Sequence, residues 1–182
     1  GKKILYTNSS ITRPLRDYVK ENIFNIITHG KNFKLNLEKT NILDLYSGIG
    51  SFGIECLSRN AGQVVFIEKD PLAFSILKKN LNNLKIENRS KLIFEDIEHY
   101  FKSLNSKEKF DLIFLDPPYK NFSFIEVMSI IKDKKIFTKN HKVIIHRERK
   151  YDGELDKIIR IELIKNYGRS KIIFGRSEER RV

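Results

Sequence analysis

Cysteine, histidine and long apolar runs are all scarce in this chain of 182 residues. The single cysteine, Cys56, rules out an internal disulfide and is typical of a reducing compartment, so we expect a cytoplasmic protein. No stretch approaches the roughly 18 consecutive apolar residues of a membrane span, and we expect neither a membrane anchor nor a secretory signal. The four histidines have no metal-ligand spacing with one another or with Cys56. The sequence therefore predicts no metal site and no nucleophile–base pair.

Positive charge is abundant, with a formal net charge of +12. This excess indicates a polyanionic partner. Arginines carry most of the signal, because the abundance of Lys, Ile and Asn indicates an AT-rich codon bias that opposes arginine. They occur in sets: Arg13 and Arg16, Arg147 and Arg149, and Arg169, Arg176, Arg180 and Arg181 towards the C terminus. Each one alone is typical of a solvated surface, but as sets they predict phosphate contacts. The predicted RNA-binding residues are Arg13, Arg16, Lys20, Arg169 and Arg176.

Apolar runs alternate with helical patterns along most of the chain. The predicted strands are 42–46, 64–67, 92–94, 111–115 and 142–146, and the predicted helices are 51–59, 71–84, 97–104 and 122–132. Alternation of this kind predicts an α/β fold with a mostly parallel sheet and helices on both faces. Two β-rich runs at 157–165 and 170–174, joined through the turn 166–169, add an antiparallel C-terminal hairpin.

We expect a single domain that spans residues 1–182, in which the region before the first strand is an N-terminal extension. Within this extension, residues 1–40, we expect one helix that starts at Pro14 and carries an apolar stripe of Val19, Ile23, Ile26 and Ile27. Residues 30–40 are predicted to be a polar connector to the core, residues 41–182.

A glycine-rich segment follows the first predicted strand. Gly48, Gly50 and Gly53 have G-x-G-x-x-G spacing, which lets a backbone turn approach a ligand closely and direct N–H groups at it. Glu68 ends the next apolar run, twenty residues beyond Gly48, where a carboxylate can accept hydrogen bonds from both hydroxyls of a ribose. These features alone are equally typical of a nicotinamide or flavin dinucleotide site and of an S-adenosylmethionine site.

Acidic residues at three strand ends favour S-adenosylmethionine. Asp44 lies in the first strand end, where it would repel a pyrophosphate but suits the cationic amino group of a methionine moiety. Asp96 follows the third strand and can accept a hydrogen bond from an adenine amino group. The third acid, Asp116, ends the fourth strand on the same side of the sheet. The predicted cofactor-binding residues are Asp44, Tyr46, Ser47, Gly48, Gly50, Glu68 and Asp96.

The fourth strand ends in Asp116-Pro117-Pro118-Tyr119. Two consecutive prolines cannot continue a sheet ladder, because neither has an amide hydrogen and both fix φ at about −65°. The strand end therefore presents a carboxylate, a stiff pair of carbonyls and an aromatic ring. A flat substrate with an –NH2 group fits this set, since Asp116 and the Pro117 carbonyl can accept its two hydrogens while Tyr119 stacks on its ring. We predict these four as the catalytic residues.

Together these motifs resemble those of class I S-adenosylmethionine-dependent methyltransferases acting on exocyclic amino groups. More narrowly, the chain resembles the bacterial RsmD family of small-subunit ribosomal RNA guanine-N2 methyltransferases. Residues 12–25 are similar to the family's Arg-Pro-x-x-Asp…Val-x-Glu…Phe-Asn segment. Residues 42–61 are similar to its first strand, glycine loop and Glu-x-Leu-Ser-Arg helix, and Tyr167-Gly168 to its closing hairpin.

The resemblance implies a Rossmann-like class I methyltransferase sheet and S-adenosylmethionine as cofactor. It implies methyl transfer to the exocyclic N2 amine of a guanine in small-subunit (16S) ribosomal RNA, with free RNA or a small ribosomal subunit particle as partner. We expect a monomer, since nothing in the sequence suggests a larger assembly. Three alternatives stay open: a DNA adenine-N6 methyltransferase, which shares the Asp-Pro-Pro-Tyr motif, a non-catalytic RNA-binding Rossmann-like module, and a dinucleotide oxidoreductase.

Overall fold

A computed structural model describes residues 2–6, 15–104 and 107–177 and shows one seven-stranded sheet. The strands are β1 (Asn41–Leu45), β2 (Gln63–Glu68), β3 (Ser90–Phe94), β4 (Phe110–Leu115), β5 (Phe137–Glu148), β6 (Ile159–Tyr167) and β7 (Ser170–Ser177). The helices are α1 (Asp17–His29), α2 (Ser51–Ser58), α3 (Pro71–Leu84), α4 (Ile97–Ser103) and α5 (Phe124–Lys134). Short 3-10 turns lie at Glu87–Arg89 and Leu155–Lys157.

The strand order across the sheet is β3-β2-β1-β4-β5-β7-β6. The first five strands pair in parallel, whereas β7 lies antiparallel between β5 and β6. The predicted fold, a mostly parallel α/β sheet with an antiparallel C-terminal hairpin, is confirmed. Helices connect the parallel strands because such strands need a crossover to return to the same end of the sheet.

Both faces of the sheet are covered, which explains the nearly continuous apolar sequence of the central strands. Helices α1, α2 and α3 contribute buried side chains to the core on one face, and α4 and α5 to the core on the other. In β1, Leu43 and Leu45 face one core and Ile42 faces the other. Asp44 lies on the same face as Ile42 and is buried in that core. Burial of this degree is unusual for a carboxylate.

Helix α1 begins at Asp17, and the predicted start at Pro14 lies outside the described residues. Val19, Ile23 and Ile27 are buried as predicted. Ile26 is only partly buried, and Phe24 packs into the core instead, stacked on Phe52 with ring centroids 5.2 Å apart. The buried stripe of α1 thus has the predicted spacing of three and four residues, but it includes Phe24 in place of Ile26.

Two predictions for the remaining chain are wrong, one about the character of a connector and one about where a strand begins. The connector 30–40 is not simply polar, because Phe33 and Leu37 are buried and Phe33 packs edge-on against Phe174 with centroids 4.9 Å apart. The fifth strand starts at Phe137 instead of residue 142, since it pairs with β4 at Phe110 before a register shift and then continues beside β7.

The register of the parallel strands brings their carboxyl ends to one edge of the sheet. Leu45 pairs with Ile67 on one side and with Leu115 on the other, and Leu115 pairs with Ile145. The residues that follow these positions therefore lie next to one another. The chain order reverses between β1 and β4, which is where open α/β sheets bind their ligands.

Candidate active site

A cleft of about 1120 Å³ opens at this edge of the sheet. It brings together most of the predicted site residues, from all three predicted groups: Asp44, Tyr46, Ser47, Gly48, Glu68, Asp96, Asp116, Pro117, Pro118, Tyr119, Arg16 and Arg169. Gly50, Lys20 and Arg176 do not line it, and Arg13 lies outside the described residues. A cleft of this size can hold a nucleoside-sized cofactor together with a further base.

The glycine loop lies between β1 and α2 and needs two of its glycines for conformational reasons. Gly48 has φ of 55° and Gly50 has φ of 89°, in the left-handed region that favours glycine. A Cβ on Gly50 would also lie 2.3 Å from Leu77, whereas a Cβ on Gly48 would meet no atom within 4 Å. The loop therefore packs tightly against α3 on one side and faces open space at Gly48.

Asp44 lies under this loop, with its residue surface 1% exposed. Its Oδ2 accepts a hydrogen bond from the Gly53 N–H at 3.1 Å. A Cβ on Gly53 would lie 2.9 Å from that oxygen and 2.4 Å from the Phe66 ring, so glycine is required for this close approach. Burial raises the pKa of Asp44 well above 3.8. The bond from the Gly53 N–H acts in the opposite direction, and the nearby Asp116 and Glu68 carboxylates raise the pKa further. A cationic ligand group would offset this penalty.

Glu68, at the end of β2, is already bonded to three backbone groups. Its Oε2 accepts from the Gly48 N–H at 2.7 Å, and its Oε1 accepts from the N–H groups of Lys69 and Asp70 at 2.9 and 2.8 Å. A carboxylate has about four acceptor sites. Accepting bonds from both ribose hydroxyls therefore requires the Gly48 bond to be shared or exchanged when a ligand enters.

Asp96 caps α4 by accepting a bond from the Glu98 N–H at 3.0 Å. It also pairs with the Lys69 ammonium at 3.1 Å, and its side chain is 48% exposed. Burial raises the pKa of Asp96, but the bonds from Lys69 and from backbone N–H groups outweigh it and leave the pKa below 3.8. Asp96 is thus an ionised acceptor at the mouth of the cleft, where Lys69 competes for its oxygens.

The residues between β1 and the glycines are held in a strained turn. Tyr46 has φ of 59°, a left-handed conformation that costs a non-glycine residue about 1–2 kcal/mol. Ser47 stabilises the turn, because its hydroxyl donates to the Asp44 carbonyl at 2.6 Å and its N–H donates to the Ile67 carbonyl at 3.0 Å. Burial raises the pKa of the Tyr46 hydroxyl, so it remains a neutral donor. Strain of this kind is concentrated at ligand sites.

One arginine stabilises the backbone of the Asp-Pro-Pro-Tyr corner through hydrogen bonds to its carbonyls. Arg147 Nη1 donates to the carbonyls of Pro117 and Pro118 at 3.2 and 3.1 Å, and Nη2 donates to the Tyr119 carbonyl at 2.8 Å. The prolines end the sheet ladder, and of the three carbonyls the one of Pro118 also accepts from the Asn121 N–H at 2.8 Å. A planar guanidinium with several fixed donors can satisfy all three at once.

The interpretation of Arg147 as a phosphate contact is wrong. The residue is 1% exposed, and its guanidinium lies between the rings of Phe124 and Tyr151, 4.6 and 4.9 Å from their centroids. Burial lowers the pKa of Arg147, while the nearby Tyr151 and Asp116 counteract the effect. Alternation along β5 directs Arg147 into the core beside the corner, and Arg149 beyond the strand end is exposed.

His146 is a site residue that the sequence reasoning missed. Its Nδ1 lies 2.7 Å from Asp116 Oδ1, and its Nε2 lies 2.9 Å from Ser170 Oγ. The sequence analysis predicted no nucleophile–base pair and assigned His146 no role, so these contacts were not anticipated. No local sequence signal indicated this contact, because it depends on the register of parallel strands β4 and β5, which places the residue after Leu115 beside the residue after Ile145.

The predicted RNA-binding residues divide by position. Arg16 and Arg169 are exposed and line the cleft. Lys20 instead donates to Ser51 Oγ at 3.2 Å, with its side chain only 14% exposed. Arg176 pairs with Glu162 at 3.6 Å on β7 and is several residues from the cleft end of that strand. Of the four predicted RNA-binding residues that the structure describes, two therefore line the cleft.

A metal-binding cluster and a membrane-spanning helix are both absent from the residues that the structure describes. Among residues 2–6, 15–104 and 107–177, no group of three or more histidine, cysteine, aspartate or glutamate side chains could hold a metal ion. Within the same ranges, no helix is long and apolar enough to cross a membrane.

The sheet order and the cleft define a Rossmann-like methyltransferase fold. A Haemophilus influenzae protein described as a methylase, 27% identical, superposes with a TM-score of 0.73 over 90% of this chain and 98% of that one. The Escherichia coli protein yhhF, described as a methyltransferase and 22% identical, superposes with a TM-score of 0.79 over 99% of this chain and 94% of that one, which supports the fold alone.

The family model described as "Conserved hypothetical protein 95" matches residues 1–176. The chain belongs to this family, the RsmD family, and the resemblance seen in the sequence is confirmed. Ribosomal RNA small subunit methyltransferase D of Haemophilus influenzae is 32% identical over 151 residues, covering 82% of this chain and 75% of that one. The protein of the same name from Buchnera aphidicola subsp. Acyrthosiphon pisum is 30% identical over 150 residues, covering 82% and 74%.

Proposed function

We propose that this protein transfers a methyl group from S-adenosylmethionine to the exocyclic N2 amine of a guanine in small-subunit (16S) ribosomal RNA. The observation that carries the proposal is the Asp116 carboxylate at the diproline corner, which faces the cleft beside Tyr119 and shares that cleft with Asp44 and Glu68. The names of the RsmD relatives support ribosomal RNA as the substrate.

The residues of the cleft fit the cofactor. Asp44 is a buried carboxylate with a raised pKa, which suits the cationic amino group, and the space open at Gly48 lets the backbone approach the ligand. Glu68 would accept from the ribose and Asp96 from the adenine amine, while Tyr46, Ser47 and Gly50 hold the loop in shape. When bound, S-adenosylmethionine supplies an electrophilic methyl group on its sulfonium.

The target amine is a poor nucleophile because its lone pair is delocalised into the guanine ring. Hydrogen bonds from the amine to the Asp116 carboxylate and to the free lone pair of the Pro117 carbonyl favour a pyramidal nitrogen and localise the lone pair. Pro118 keeps the corner stiff, and Tyr119 stacks on a base that has left its helix or loop. Methylation would form the N–C bond as the bond from the methyl carbon to the sulfonium sulfur breaks, leaving a neutral thioether, and Asp116 would accept the proton that the amine loses. Positioning supplies most of the acceleration.

The RNA would reach the cleft along its basic rim. Arg16 and Arg169 provide phosphate contacts at the cleft, and such contacts orient RNA without recognising its sequence. Arg13, Lys20 and Arg176 complete the proposed set, although Lys20 and Arg176 would first have to leave Ser51 and Glu162.

Labelled-methyl transfer to small ribosomal subunit particles from a strain that lacks this modification tests the proposal. Mass mapping of the product would identify N2-methylguanine. We expect Asp116→Ala to reduce turnover by about 10³-fold or more with cofactor affinity retained, because the lost bonds form mainly in the transition state. Asp133→Ala, an exposed carboxylate on α5, is the matched control and should leave turnover unchanged.

Substrate and ligand controls separate the alternatives. Methylation of plasmid DNA instead of particles would indicate an adenine-N6 DNA enzyme. RNA binding without calorimetric affinity for S-adenosylmethionine, unchanged in Asp116→Ala, would indicate a non-catalytic module. A rise in melting temperature with NAD and none with S-adenosylmethionine would indicate a dinucleotide oxidoreductase.

A further inference from the structure

His146 takes no part in the chemistry proposed above, yet it lies directly against Asp116. Its Nδ1 is 2.7 Å from Asp116 Oδ1, its Nε2 is 2.9 Å from Ser170 Oγ, and the Tyr119 hydroxyl is 3.5 Å from the same Nε2. The four side chains come from the corner, from β5 and from the start of β7. His146 itself is 8% exposed, so the surrounding protein holds its ring in place.

The contacts determine which nitrogen carries the hydrogen. An ionised carboxylate can only accept hydrogen bonds, so the nitrogen facing Asp116 must be an N–H donor. Neutral His146 then has its hydrogen on Nδ1 and a lone pair on Nε2, which accepts from the Ser170 hydroxyl. Asp116 therefore selects the histidine tautomer, and the Ser170 hydroxyl, which can donate or accept, holds Nε2 in place.

We propose that His146 is a positioning residue for methyl transfer, acting through Asp116; this inference rests on the proposed function. The imidazole occupies Oδ1 and prevents rotation of the carboxylate, so that Oδ2 is directed to the substrate amine. The corner carbonyls are held by Arg147 and the carboxylate by His146, which are consecutive residues of β5 on opposite faces of the sheet. One strand thus orients both acceptors of the amine.

The hydrogen-bonded chain resembles the catalytic triad of a serine hydrolase, with the order Ser170, His146 and Asp116. The geometry nevertheless favours a positioning role for His146 over a role as general base. In a triad the aspartate is buried behind the histidine and does not meet the substrate. Here the Asp116 side chain is 21% exposed and lines the cleft. The Tyr119 hydroxyl also approaches Nε2, which would hinder proton transfer from Ser170.

Three substitutions of His146 distinguish the loss of its hydrogen-bond donor from a change in its side-chain volume. Asparagine ends at about the position of Nδ1 and can still donate to Asp116, glutamine ends at about that of Nε2, and leucine donates nothing. We expect His146→Asn to keep kcat within about fivefold of wild type, while His146→Gln and His146→Leu lower it by about 30-fold to 100-fold. The KM and calorimetric Kd for S-adenosylmethionine should not change, because His146 acts on the amine side of the cleft. Equal losses in all three variants would refute the proposal.

Ser170 offers a second test through a double-mutant cycle. Ser170→Ala is expected to lower kcat by about threefold to tenfold in the wild-type background and to have no further effect in His146→Leu, because it acts only through the imidazole. Additive losses would contradict this order of action. Covalent labelling of Ser170 by a fluorophosphonate probe would also overturn the proposal, since it would reveal a nucleophile.

The histidine tautomer can be observed without any activity. Long-range ¹H–¹⁵N spectra should show His146 with a protonated Nδ1 and an unprotonated Nε2, and Asp116→Ala should remove this preference. A protonated Nε2 in the wild-type protein would overturn the inference whether or not the enzyme is active. Absence of methyl transfer by wild type together with the expected tautomer would instead contradict the proposed function alone.

Discussion

Asp44→Asn is expected to stabilise the protein in the absence of cofactor and to weaken cofactor binding at the same time. Asp44 is buried with a raised pKa, so its charge is unfavourable until a cation arrives. Asparagine has nearly the same shape, and its carbonyl oxygen can still accept the bond from the Gly53 N–H. The substitution therefore removes the charge and keeps the local packing.

Both effects can be given a size. Removing a functional but unfavourable group commonly stabilises a protein by about 0.5–2 kcal/mol, or by about 1–8 °C in melting temperature for a chain of this length. Losing a charge-assisted bond to the cofactor amino group costs about 1.5–3 kcal/mol, which weakens the Kd by about tenfold to 150-fold.

Thermal unfolding with and without ligand measures both quantities. At a cofactor concentration of about 100 times the wild-type Kd, binding stabilises wild type by about 2.7 kcal/mol. If the Kd is weakened by about 100-fold, the same concentration stabilises Asp44→Asn by only about 0.4 kcal/mol. The variant should thus melt higher than wild type without ligand and respond far less to it.

The stability difference should also depend on pH. Because the pKa of Asp44 is raised in the folded state, the protein prefers the protonated form. The resulting contribution is fully present below pH 3.8, the ordinary value, and is lost as the pH rises through the folded-state pKa. Asp44→Asn, which does not titrate, should therefore gain most over wild type at neutral pH and least near pH 4.

Asp133→Asn, on the exposed face of α5, is the control and should change neither quantity. S-adenosylhomocysteine carries the same amino group without the transferable methyl, so its binding should weaken equally. If Asp44→Asn bound both ligands as tightly as wild type, the assignment of Asp44 to the amino group would be wrong. A lower melting temperature without ligand would refute the argument that the buried charge is unfavourable.

Three further changes test the loop, the corner and the basic rim. Gly53→Ala places a Cβ 2.4 Å from the Phe66 ring and should destabilise the protein by about 1–3 kcal/mol in urea unfolding. Arg147→Lys cannot reach three carbonyls with one ammonium, so we expect at least a tenfold fall in kcat with cofactor Kd unchanged; an unaltered kcat would show that the corner keeps its shape unaided. Arg169→Gln should weaken particle binding and lower its salt-dependence slope by about 1, whereas Arg160→Gln, exposed on β6, should not.

Much of the fold could be predicted because each element carried its own local signal. The largely apolar runs of β1 and β4 are typical of strands buried on both faces. Asp70 followed by Pro71 is a strong start signal for α3, and the Asp70 side chain does accept from the Ala73 N–H at 2.7 Å. The first part of β5 was missed, since the polar residues 138–142 give no apolar alternation and form a strand only by pairing with neighbours.

The sequence by itself determined where ligands could bind. The glycine spacing, the acids at strand ends and the diproline stop are local features, and parallel strands place all of them at one edge. Only the tertiary structure decided what the side chains of β5 do. His146 and Arg147 meet the corner across about 30 positions of sequence, through a strand register that no local pattern encodes. Arginine is rarely buried, and a surface phosphate contact was therefore the natural prediction for Arg147, but three backbone carbonyls and two aromatic rings surround its guanidinium in the structure.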